Sequence, residues 1–138
     1  MANALGFTVA MMAGVVLAAG ATLAAATPPS VDRYYSKTYN DCMTEANGST
    51  MPMRFCMRDE HDGWDKQLNQ LYQALMAARS GAAKTQLRDD ERAWLKRTTH
   101  RCEHAGDDEA GGTLQGVEID QCYLDETIRR AVYLRGLH

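Results

Sequence analysis

From residue 30 onward the apolar positions recur every three to four residues, the period of helices packed on one face, and they never alternate as a strand would. Tyr35, Tyr39, Cys42, Met43 and Ala46 form the first run, with Ser30 as its expected cap and Asn47-Gly48 as its stop. Ser49 and Thr50 then precede Met51-Pro52, a cap followed by a proline in the first turn, where its missing N–H costs nothing. Met57, Trp64, Leu68, Leu71, Tyr72, Leu75 and Met76 continue as one stripe to Arg79, and Ser80-Gly81 breaks it. A third helix is expected from about residue 83 to His104, with Leu87, Glu91, Trp94, Leu95, Thr98 and Cys102 along one partly polar side. Gly106 to Thr113 is rich in Gly and Asp and reads as a loop. A fourth helix follows from about residue 117 to Leu134, with Leu124, Thr127, Ile128, Ala131 and Leu134 on one face and Cys122 near its start. The pattern predicts an all-α fold, a small bundle or hairpin of three to four helices.

The first 26 residues differ in kind. Ala4 to Ala26 is almost unbroken Ala, Val, Leu, Met and Gly with Phe7, interrupted only by Thr8 and Thr22 and with no charged side chain, and it closes on Ala24-Ala25-Ala26 before Thr27-Pro28-Pro29. This reads as a signal peptide over residues 1–26, followed by a single domain over residues 27–138; an uncleaved anchor is the alternative, because the run is long enough to span a bilayer. The protein is therefore expected to be exported, periplasmic or secreted, with no membrane contact beyond that segment. All 15 Lys and Arg and all 18 Asp and Glu follow it, with signs interspersed and a net charge of -3, which argues against nucleic-acid binding and against a polybasic membrane surface.

The four cysteines, Cys42, Cys56, Cys102 and Cys122, also lie after the export segment, and an even number in an oxidising compartment predicts two disulfides. Three pairings are open. Local pairing, Cys42 with Cys56 and Cys102 with Cys122, is the expectation, since each closes a short segment around a turn-rich stretch.

Candidate chemistry is sparse. His100 and His104 stand four apart on a helix, but two ligands do not make a metal site, and a terminal pair of solvated histidines is the simpler reading. Met43, Met51, Met53 and Met57 surround Cys42 and Cys56 in a manner suited to Cu(I), yet oxidised cysteines remove the best ligands. No nucleophile elbow, phosphate-binding glycine loop or free thiol is present, and Asp89-Asp90-Glu91 is expected to be a solvated face apart from Glu91. No enzyme and no cofactor is expected.

Cys42 and Cys56, the block Asp65-Lys66-Gln67-Leu68-Asn69 with Tyr72, then Ala93-Trp94-Leu95 and Cys102, then Gly111-Gly112-Thr113, Cys122 and Thr127-Ile128-Arg129-Arg130 occur in a characteristic order. In these residues the chain resembles the lysozyme inhibitor LprI-like, N-terminal domain family, over about Asp41 to Leu134. Departures from the pattern stand at Glu91, where glutamine is usual, at Thr98, where arginine is usual, and at Glu126, where an apolar residue is usual. The resemblance implies a helical, disulfide-bonded protein of the envelope or cell surface, and for some members lysozyme inhibition. Asp65, Leu68, Asn69, Tyr72, Trp94 and Arg130 are read as its structural motif, with Leu68, Tyr72 and Trp94 in the core. A lysozyme partner makes Asp107, Asp108 and Glu109 the expected contact with a basic rim, and Thr113 the expected hydrogen-bond donor in the cleft. The competing classes are an envelope structural or stress-related module, and third an envelope copper or metal-binding protein.

Overall fold

The computed structural model describes residues 28–137, so the expected signal peptide lies outside the described residues. The protein is all-α. A 3-10 turn over Asp32–Tyr34 leads into α1 (Lys37–Ala46), α2 (Thr50–Ala78) and α3 (Gly81–Glu103); a second 3-10 turn over Asp107–Glu109 precedes α4 (Leu114–Arg135). The main interface joins α2 to α4, α1 packs on α2, and α3 is attached chiefly to α4. None of these helices is long and apolar enough to cross a membrane.

Local chemistry explains the boundaries. α1 starts six residues later than expected: its cap is Ser36, whose hydroxyl accepts from the Tyr39 amide at 3.0 Å, while Ser30 Oγ accepts from Asp32 in the preceding 3-10 turn. Ser36 wins because Glu60 on α2 holds it, accepting from its amide at 2.9 Å and its hydroxyl at 2.7 Å. Asn47 ends α1 in the left-handed region at φ 45°, the role expected of an Asn-Gly stop. α4 begins at Leu114, earlier than expected, so Cys122 sits about two turns inside it rather than at its start. The bridges are Cys42–Cys56, tying α1 to α2, and Cys102–Cys122, tying the end of α3 to α4, with Cα separations of 5.8 and 5.4 Å.

The core follows the expected stripes on α2 and α4. Met57, Trp64, Leu68 and Leu75 face Leu124, Ile128, Ala131 and Leu134, and the last four are wholly buried. α3 contributes far less: only Leu87, Glu91, Thr98 and Cys102 are buried, and Leu95, expected on the apolar side, is 51 % exposed. The partly polar stripe on α3 thus marks a helix packed along one narrow edge.

The segment before α1 is stitched down by a polar cluster. Tyr35 Oη donates to Asp125 at 2.6 Å, Gln121 Nε2 donates to both at 2.7 Å, and Tyr39 Oη donates to Gln121 at 3.1 Å. Burial, then the hydrogen bond and charge of Asp125, hold the Tyr35 phenol far above its ordinary value; burial first, then the Asp125 and Glu60 charges, push Tyr39 up from 10.0 to about 12. Both folded values are raised, so the stability these phenols contribute is complete below pH 10.0; the Tyr39 share is lost as pH rises through about 12, and the Tyr35 share persists to still higher pH. Spectrophotometric titration is expected to show a late tyrosinate phase that accompanies loss of helical dichroism and disappears in Tyr35→Phe/Tyr39→Phe. A late phase unchanged in that variant would contradict the assignment.

Candidate functional site

Two surfaces carry chemistry. The first is the segment between α3 and α4. Its backbone closes successive turns: Asp107 N–H to His104 carbonyl at 3.3 Å, Glu109 to Gly106 at 3.0 Å, Ala110 to Asp107 at 3.2 Å and Gly112 to Glu109 at 2.8 Å. Gly106 anchors it. A Cβ there would lie 2.6 Å from the Gln115 carbonyl oxygen and 2.9 Å from its Cα, so only glycine lets the segment rest directly on α4. The Cys102–Cys122 bridge closes the base. Asp107, Asp108 and Glu109 are all exposed, with only Asp107 engaged, 2.9 Å from His104 Nδ1. Thr113 is exposed at the N-cap of α4 and makes no side-chain capping bond, which leaves its hydroxyl facing solvent. The segment is a turn of fixed shape that carries three acids.

The second surface is a groove of about 610 Å³ between α2 and α3, floored by Tyr123 and Thr127 of α4. It gathers most of the motif: Asp65, Leu68, Asn69 and Tyr72 from α2, and Trp94 with Thr98 from α3. Here the structure corrects the sequence reading. Leu68 is core, but Tyr72 and Trp94 are half-buried at the groove wall, and Asp65 and Asn69 are exposed on its rim, bonded to each other at 2.9 Å. The cause is the thin packing of α3, which meets α4 closely but leaves α2 after the turn at Ser80-Gly81. The polar residues within the α3 stripe were the available signal for this opening.

Arg130 contacts two residues that line that groove, Glu91 and Trp94. Its guanidinium, on a side chain only 6 % exposed, donates to Glu91 through Nε at 2.8 Å and Nη2 at 2.6 Å, and to Asp90 at 2.8 Å. It also lies 5.5 Å from the centre of the Trp94 ring and 4.9 Å from that of Tyr133. Asp90, expected on a solvated face, therefore belongs to an inter-helix ion network. Glu91 is buried with its charge answered by the Arg130 guanidinium. Glu126 is also buried and accepts from Arg101 at 2.7 Å and Arg129 at 2.9 Å. Thr98 is buried.

His100 and His104 lie with ring centres 5.1 Å apart and their planes tilted by 57°, and no group of three or more His, Cys, Asp or Glu side chains converges among the described residues. Cys42 and Cys56 are joined, Met57 is buried and Met43 and Met53 pack on the core, leaving Met51 exposed.

Residues 40–134 match the family model described as Lysozyme inhibitor LprI. No curated protein and no solved structure matches the chain.

Proposed function

Because the chain belongs to the lysozyme inhibitor LprI family, we propose that it acts outside the cytoplasm as a non-enzymatic inhibitor of lysozyme, blocking the substrate cleft with the acidic turn between α3 and α4. The family match over residues 40–134 carries this reading, and the two disulfides accord with an exported protein whose signal is residues 1–26. Lysozymes of the animal type are strongly basic, so Asp107, Asp108 and Glu109 steer the encounter. The cleft also holds two carboxylates, which call for a donor at the centre of the contact, and the Thr113 hydroxyl supplies it. The turn enters already shaped by its backbone bonds, Gly106 and the Cys102–Cys122 bridge, so little ordering entropy opposes binding. No bond is made or broken; inhibition is stoichiometric occlusion.

The test is calorimetry and binding kinetics with lysozymes of several types, beside a wall-turbidity assay. Neutralising the turn with Asp107→Asn, Asp108→Asn and Glu109→Gln is expected to lower the on-rate about tenfold at low salt and to flatten its salt dependence. Thr113→Ala is expected to raise the off-rate. Absence of binding to every lysozyme at tens of micromolar would discard the reading in favour of an envelope module. Inhibition lost with an unchanged on-rate would discard the steering role.

A further inference from the structure

The groove between α2 and α3 lies apart from the acidic turn, and the inhibitor reading makes no use of it. Past His61 and Tyr123, which line both, it continues into a second depression of about 430 Å³ with Met51, Phe55 and Arg58. Along α2 the lining runs from Met51 to Met76, about 37 Å at 1.5 Å per residue. Both depressions are partly open to solvent, so the shape suits a chain laid across the surface more than a tail threaded into a tunnel.

We propose that this groove binds an oligosaccharide of N-acetylated amino sugars that carries carboxylate substituents, independently of any lysozyme contact. Three features of the lining favour that chemistry. Phe55, Tyr123, Tyr72 and Trp94 are distributed along the groove, none of them fully buried. Flat aromatic faces beside water are what the apolar C–H face of a pyranose packs on. Trp94 is the best prepared: Arg130, locked by Glu91 and Asp90, lies against its ring and fixes its orientation before any ligand arrives.

Hydrogen-bonding groups fringe these aromatics from both walls. Asn69 spends its Nδ2 on the Asp65 carbonyl and carboxylate, both at 2.9 Å, which turns its side-chain oxygen outward as an acceptor suited to an acetamido N–H. Thr99 faces it from α3. An acyl chain would need polar groups at one end only, whereas here they follow the aromatics, as a polyhydroxylated ligand requires. Met76, partly buried, provides an apolar niche for an acetamido methyl group.

The charge comes from α3. Arg88 and Arg92, four residues apart on one helix face, both line the groove. Arg88 pairs only with its neighbour Asp89, and Arg92 has no ion-pair partner among the described residues. Two adjacent guanidiniums at the edge of an aromatic slot are a site for a carboxylate attached to a sugar.

Intrinsic fluorescence reads the event directly, since Trp64 is buried in the core and Trp94 lines the groove. The full protein is titrated with a tetrasaccharide of alternating N-acetylglucosamine and N-acetylmuramic acid, with chitotetraose, which lacks the carboxylates, and with a long-chain fatty acid. The muramyl tetrasaccharide is expected to perturb Trp94 with a Kd of about 0.1 mM and chitotetraose to bind about tenfold more weakly. Arg92→Ala and Tyr72→Ala are each expected to weaken the muramyl ligand about tenfold, while Asp107→Asn/Asp108→Asn/Glu109→Gln leaves it unchanged. Lysozyme binding by Arg92→Ala stays as in the parent, which separates this site from the inhibitor reading. Any one of three results overturns the proposal: no response to the muramyl ligand at several millimolar, equal affinity for both oligosaccharides, or displacement by the fatty acid. Saccharide binding that survives both substitutions in folded protein overturns it as well.

Discussion

Reduction of both disulfides is expected to remove about 6 kcal/mol and to unfold the domain at physiological temperature. The chain separations of 14 and 20 residues correspond to about 3 kcal/mol each in the loop-entropy model, and a domain of this size holds only about 5 to 15 kcal/mol in total. The two bridges are not equivalent. Cys42–Cys56 reinforces α1 on α2, where Tyr39 and Ala46 also bury apolar surface. Cys102–Cys122 holds α3, whose one buried large aliphatic side chain is Leu87. The paired substitution Cys102→Ala/Cys122→Ala is therefore expected to release α3 and the acidic turn first, while α2 and α4 remain packed. Hydrogen exchange checks this: α3 amides are expected to lose protection ahead of those of α4. Denaturant midpoints that coincide with and without reductant would refute the larger claim, and simultaneous loss of protection in all four helices would refute the order of events.

Arg130→Ala is the most damaging single substitution expected, at about 3 to 5 kcal/mol. The loss is not the net worth of the pair. It arises because Glu91, 7 % exposed, keeps its charge in the interior with its donor gone, and because Trp94 loses the guanidinium that braces it. Asp90 adds little, since its side chain is 39 % exposed and water replaces its partner. Thermal and urea melts measure the effect. The double substitution Glu91→Leu/Arg130→Met is expected to recover most of the stability, because removing both charges leaves nothing unpaired. If Arg130→Ala melts close to the parent, α3 is held by its disulfide alone. If the double variant is as unstable as the single one, packing rather than charge accounts for the loss.

These two expectations concern the same weak seam, and the local sequence half discloses it. The α2 stripe is continuous in Leu, Met, Tyr and Trp and the α4 face, less clean, carries Leu124, Ile128, Ala131 and Leu134, so both apolar faces are readable from period, while their pairing is seen only in the fold. The α3 stripe mixes Leu87 and Trp94 with Glu91 and Thr98, which signals partial burial without saying what faces the polar groups. Arg130 answers Glu91 across 39 residues of sequence, and no periodicity relates them. Trp94 reads as core because tryptophan amid leucines usually is. It sits at a groove wall because α3 diverges from α2, and that divergence depends on how the turn at Ser80-Gly81 aims a helix with little apolar area to draw it back.

What the sequence by itself determined is whatever depends on near neighbours: the helices, the Asn47 stop and the loop of acids after Gly106, whereas the local cysteine pairing it favoured was one of three left open until the fold brought Cys42 to Cys56 and Cys102 to Cys122. The tertiary structure alone decided which serine caps α1, how far inside α4 the second bridge falls, and that Asp90, Glu91 and Glu126 have cationic partners. It also decided that Tyr72 and Trp94 line an open groove. The reason is physical. Helix period and turn chemistry act over about one to two turns of chain, whereas burial of a charge or exposure of an aromatic is set by which helix arrives opposite, a consequence of total packing that no local window contains.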